Sequence, residues 1–203
     1  MKALYVTDRE SIGEARLGRI LCSLSGAPGV AVVLRESPPE DRDRLAHARD
    51  ARACLGASVP LFVHRRLDVA LAAGADGVHL PSDGLPVARV RAHAPRGFRV
   101  GVSTHAAAEA ERAIADGADL VVIGPVFDTP SKRRYGPPLG AAGLAALPPL
   151  ASHGSEVYAI GGVDESRLDA LAPYADRISG VAGIRLFQDS PDPRALVERL
   201  AAR

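Results

Sequence analysis

LAAGADGVHL, residues 71–80, and IADGADLVVI, residues 114–123, pass in the same order through a helix end, a Gly-Ala-Asp turn and a short apolar strand. A glycine directly after a helical run predicts a left-handed cap, so Gly74 and Gly117 read as the stop signals of two helices. Two copies indicate a repeated βα unit and are too few for a solenoid. Working outward, strand-like segments rich in Val and Ile begin at Ala3, Val30, Pro60, Gly77, Arg99, Leu120, Glu156 and Arg177. Most lack clean polar alternation, as parallel strands covered on both faces do. Between them lie the helical stretches EARLGRILCSL, EDRDRLAHARDARACLG, AAAEAERAIADG and ESRLDALAPYA, and PRALVERLAA closes the chain. Alternating strands and helices require crossover connections and a parallel sheet. Eight such units without a linker in 203 residues predict one domain over residues 1–203, a single (β/α)8 TIM barrel. A doubly wound open sheet would use fewer strands and place a glycine-rich turn after the first, where this chain has Thr7-Asp8-Arg9.

The chain carries 25 Lys and Arg against 24 Asp and Glu, a net charge of +1, so neither a nucleic-acid surface nor a membrane-binding face is expected. Any positive potential must be local. No apolar run of about 18 residues and no charged-then-apolar leader occurs, which predicts a cytoplasmic protein. Barrel helices can hide a dimer patch, so a homodimer stays possible, although no exposed stripe singles one out. Cys22 and Cys54 match no metal spacing and read as buried small apolar residues, since a cytosolic disulfide is unusual.

In a barrel of this kind chemistry sits where strands end and loops begin. Strand-end residues are therefore the candidates, among them Asp8, Arg35, His64, Arg65, His79, Asp83, Ser103 and His105. After the sixth strand, Thr129 and Ser131 stand with Lys132. Two hydroxyl donors beside a cation suit an oxygen-rich anion such as phosphate, and a solvated basic loop is the other reading, because Arg133 and Arg134 follow. AIGGV at 159–163 and GVAGI at 180–184 end the seventh and eighth strands with Gly161, Gly162 and Gly183. Barrels often bind phosphate between those loops, where bare backbone lets amides approach a ligand; a tight turn accounts for the paired glycines equally well. His64 ends the third strand, and imidazole changes charge near neutral pH, so it is the first choice for a general acid or base, with His79 and His105 as alternates. His79 reads as lying against the rim and His105 as capping the following helix. His47, His93 and His153 read as surface residues.

At this point the chain resembles the thiamine phosphate synthase and thiazole tautomerase (TenI) superfamily of (β/α)8 enzymes. The pieces that carry the resemblance are LYVTD at 4–8, LRE at 34–36, RLDVAL at 66–71, GADGVHL at 74–80, GVSTH at 101–105, IGPVFDTPSK at 123–132 and AIGG at 159–162. It implies a small phosphorylated heterocycle, a thiazole phosphate, as ligand, with Arg35, Ser103, Thr129, Ser131 and Lys132 at phosphate-holding positions. By the same resemblance Gly161, Gly162 and Gly183 lie in the loops that receive the thiazole phosphate. Departures fall on the metal site. Where the synthase pattern has Asn-Asp-Arg the chain has His64-Arg65-Arg66, Gly84 stands at a second carboxylate position, and Ser37 replaces a lysine. A hard cation needs oxygen ligands. No cofactor is therefore expected, with Mg²⁺ implied only by the synthase alternative. The tautomerase branch fits these departures better, with Arg65, or Arg35 beside it, clamping a substrate carboxylate and His64 moving protons, because the branch's own histidine position holds Pro125. The alternatives are a divergent synthase joining a pyrimidine diphosphate to the thiazole phosphate, and a non-catalytic barrel that binds such a phosphate.

Overall fold

The computed structural model describes residues 1–35, 41–129 and 137–203. Its elements run β1 (Lys2–Val6), α1 (Arg9–Ile12), α2 (Glu14–Ser23), β2 (Val30–Leu34), α3 (Asp41–Leu55), β3 (Leu61–His64), α4 (Leu67–Ala72), β4 (Gly77–Leu80), α5 (Val87–Arg91), β5 (Arg99–Thr104), α6 (Ala107–Ala115), β6 (Leu120–Ile123), β7 (Glu156–Ala159), β8 (Gly180–Gly183), α7 (Arg185–Gln188) and α8 (Pro193–Ala201). The strands pair in parallel in chain order and β8 returns to β1, closing the barrel. The expected TIM barrel is the observed fold. Two helical segments differ in type. The stretch Glu165–Tyr174 is a 3₁₀ helix, as is Ala141–Ala146. Pro173 inside the former has no N–H to give an α-helical bond.

The period-two alternation of each strand separates two apolar layers. Leu4, Val6, Ala31, Val33, Phe62, Leu120, Val122, Tyr158 and Ala182 fill the barrel interior. Ala3, Tyr5, Val32, Leu61, Val63, Val121 and Val157 face outward into the larger layer shared with the helices. Large and small residues alternate inside: a Cβ on Gly77 would lie 2.6 Å from the Phe62 ring, so the glycine makes room for that ring.

The repeated unit is built as the sequence implies. Gly74 and Gly117 take φ of 67° and 89°, the left-handed conformation that ends α4 and α6. The aspartate that follows each glycine latches the lower rim. Asp76 accepts from the Leu61 N–H at 2.8 Å and pairs with Arg52; Asp119 accepts from the Val100 N–H at 2.7 Å and pairs with Arg91. Also at that rim, Glu156 joins Lys2, Arg99 and the Tyr158 hydroxyl.

The cysteines correct an expectation. Cys22 is exposed and Cys54 half-buried, and they form a disulfide between α2 and α3 with a Cα separation of 4.4 Å. Neighbouring crossover helices pack side by side, which spacing along the chain does not reveal. His47 is also not a surface residue: it is half-buried, with Nε2 3.3 Å from the Arg9 guanidinium. No helix among the described residues is long and apolar enough to cross a membrane.

Candidate functional site

The inward face of each strand continues past the apolar layers to the C-terminal rim. Counting by two from Val33, Phe62 and Gly101 places Arg35, His64 and Ser103 over the barrel axis, and all three line a cleft of about 1360 Å³. Thr129, Gly161, Gly162 and Gly183 line the same cleft. That volume exceeds the roughly 300–1,000 Å³ usual for one small ligand.

Arg65 lies on the other parity. Its φ is 67°, unusual for a residue with a side chain, and its guanidinium turns to Asp83 at 3.2 Å, away from the cleft lining. Ser131 and Lys132 lie outside the described residues. Arg35 pairs with Asp8 at 3.5 Å, and its backbone N–H donates to Thr7 Oγ1 at 2.9 Å.

Gly161 and Gly162 make the tight turn that their pairing suggested. Their φ values are 96° and 64°, and a Cβ on either would run into the loop after β6, at 2.5 Å from Pro125 and 2.7 Å from the Asp128 carbonyl. The loop docks there through N–H donation from Val126 to Ile160 O and from Phe127 to Gly161 O, at 2.8 and 2.9 Å. Their own N–H groups find no acceptor among the described residues, which leaves two adjacent donors on the cleft wall.

The histidines behave differently from one another. His64 is half-buried, and its pKa is lowered from 6.5 to about 4, first by burial and then by the Arg65 and Arg35 guanidinia. At neutral pH it is an uncharged imidazole and a weak base. His79 stands in register with His64 and lines the cleft, but it is 3% exposed, with Nε2 2.9 Å from Ser103 Oγ. His105 is exposed at the mouth. Its ring does not cap α6; Nδ1 lies 2.6 Å from the Gly124 carbonyl, so Nδ1 carries the proton and donates, while its backbone N–H donates to Glu109.

Comparison with known proteins now bears on this rim. A family model described as "Thiamine monophosphate synthase" matches residues 3–187. The thiamine-phosphate synthase of Methanoculleus marisnigri is 40% identical over 98% of this chain and 95% of its own length. The chain belongs to the thiamine monophosphate synthase family. A family relative from Geobacter sulfurreducens, called a putative thiamine-phosphate synthase, is 38% identical over 98% of this chain and 93% of its own length. The solved thiamine phosphate pyrophosphorylase from Pyrococcus furiosus superposes with a TM-score of 0.78 at 26% identity, covering 99% of this chain and 94% of that one. These names support the synthase alternative over the tautomerase reading that the sequence favoured.

The resemblance implies Mg²⁺, and the described residues were compared with what such an ion requires. Among the described residues no group of three or more His, Cys, Asp or Glu side chains converges on one point. Two rim carboxylates, Asp8 and Asp83, are each engaged by a guanidinium. A divalent ion wants several free oxygens. Several lining residues were not singled out from the sequence: Arg167, Arg185 and Gln188. Arg167 donates to the Gly162 carbonyl at 2.9 Å and lies 5.5 Å over the Phe127 ring, and buried Gln188 donates to Asp8 O at 3.0 Å. Arg167 and Gln188 stand beyond the last strand residues, where period two no longer tells direction, and no local signal marks them.

Proposed function

We propose that this barrel runs the synthase-class reaction, transferring a pyrimidylmethyl group from its diphosphate to the ring nitrogen of a thiazole phosphate. The carbon–oxygen bond to diphosphate breaks with its electron pair leaving on the diphosphate. The thiazole nitrogen lone pair then forms the new carbon–nitrogen bond. Arg35, Ser103, Thr129, Ser131 and Lys132 hold the departing diphosphate, and the Gly161 and Gly162 amides, with the loop of Gly183, receive the thiazole phosphate. No step is routed through a metal ion.

Similarity over nearly the full chain to a thiamine-phosphate synthase carries this reading, and the state of His64 accords with it. His64, the residue placed to move protons, is held as a neutral imidazole by burial and two guanidinia. Group transfer of this kind asks the protein for charge neutralisation and orientation, whereas tautomerisation asks it to take a proton from one carbon and return it to another. Donors line the cleft wall, its volume suits two ligands, and the family names point the same way.

A tautomerase keeps one supporting observation: His105 at the mouth donates through Nδ1 to Gly124, which leaves Nε2 as a base. Purified protein incubated with the pyrimidine diphosphate and thiazole phosphate should yield thiamine phosphate by chromatography. Conversion of the carboxythiazole phosphate tautomer alone would give the activity to the second reading. Binding of either substrate with no turnover would make the chain a non-catalytic phosphate binder.

A further inference from the structure

His79 takes no part in the reaction as described, yet it is almost fully buried, 3% exposed, beside Ser103 in the cleft wall. Its Nε2 lies 2.9 Å from Ser103 Oγ. Its Nδ1 is buried and has no hydrogen-bond partner. The neighbour on β5 in register with His79 is Gly101, and a Cβ built there would lie 2.7 Å from Nδ1. What the glycine aims at that nitrogen is therefore a Cα–H. A Cα–H is a weak donor and pairs with a lone pair, whereas an N–H would meet it head-on. A buried N–H without an acceptor is also the rarer arrangement in folded proteins. Burial, with His64 beside it, lowers the His79 pKa to about 3, so the ring carries a single proton across the working range.

We propose that His79 is a positioning residue for Ser103: it carries its proton on Nε2, donates it to Ser103 Oγ, and so commits the serine hydroxyl proton to an anionic oxygen in the cleft. Serine can donate one hydrogen bond and accept others. With the acceptor side engaged by His79, the Ser103 proton is left for the ligand. Among the described residues Ser103 Oγ has no other partner, and Ser103 lines the cleft. Gly101 is part of the device, because any side chain there would push the ring off this line.

The role in ligand binding rests on the phosphate-holding reading above; the proton position does not, and it is measured first without ligand. In protein labelled with ¹⁵N, two-bond proton–nitrogen correlations should show His79 as the neutral Nε2–H tautomer. An Nδ1–H tautomer overturns the proposal, whatever the enzyme does. Calorimetric titration with inorganic diphosphate then tests the linkage. Ser103→Ala should weaken binding about tenfold and His79→Leu by a similar factor, while His79→Gln, whose amide nitrogen falls near Nε2, should stay within about threefold of the parent. The double substitution Ser103→Ala with His79→Leu should bind no worse than Ser103→Ala alone. A further loss in the double variant would mean that His79 acts on the fold and not through Ser103, and would overturn the proposal. If His79→Leu does not fold, the tautomer measurement on the parent still decides.

Discussion

Lowering the pH from 7.5 to 5 should cost this barrel roughly 4 kcal/mol of stability through two histidines. In the unfolded chain both titrate near 6.5, whereas in the folded barrel His64 holds out to about 4 and His79 to about 3. Between pH 6.5 and 4 the unfolded chain thus binds more protons, so stability is full above 6.5 and falls as acid is added. At about 1.4 kcal/mol per pH unit, the interval from 6.5 to 5 removes roughly 2 kcal/mol for each ring. Carboxylates contribute little in this window. Asp68, Glu156, Asp164 and Glu165 are lowered from ordinary values of 3.8 or 4.5, so their stabilisation is lost only at lower pH. Urea unfolding at the two pH values reads the difference directly. His64→Gln and His79→Gln should each remove about half of it, and the double variant nearly all. Equal stability at pH 5 and 7.5, or an undiminished pH dependence in the double variant, would refute the assignment of two buried neutral rings.

Three further outcomes are expected. A methyl on Gly180 would overlap the Lys2 carbonyl across the β1–β8 seam, so Gly180→Ala should cost about 1–3 kcal/mol, a Tm fall of roughly 2–4 °C per kcal/mol; an unchanged Tm would remove the claim of tight closure. Glu156→Gln breaks the lower-rim cluster with Lys2 and Arg99 and should destabilise by roughly 1 kcal/mol while leaving the KM for either substrate unaltered, and a shifted KM would contradict the division between the two rims. Inorganic diphosphate should bind equally well in EDTA and in Mg²⁺, and Lys132→Ala should weaken it about tenfold; dependence on added Mg²⁺ would show that the rim does assemble a metal site.

Much of the barrel was legible because its signals are local. Apolar Val and Ile runs marked all eight strands, and Gly74 and Gly117 marked the ends of two helices by the conformation that glycine alone takes easily. Strand parity, once the inward face is known from Phe62, sends His64 in and Arg65 out; residue type alone had grouped the two together. The rest depends on distance in space. The Cys22–Cys54 bond needs α2 and α3 to be neighbours, and the depression of the His64 pKa needs burial and two guanidinia from separate loops. Neither leaves a mark along the chain.

Asp76 and Asp119, each gripping an arginine and an amide near the start of an earlier strand, sit at the end of the barrel remote from His64 and Arg65. Substitutions at the far opening leave those clasps intact. Side chains at that opening can thus be exchanged one at a time without endangering the framework that carries them.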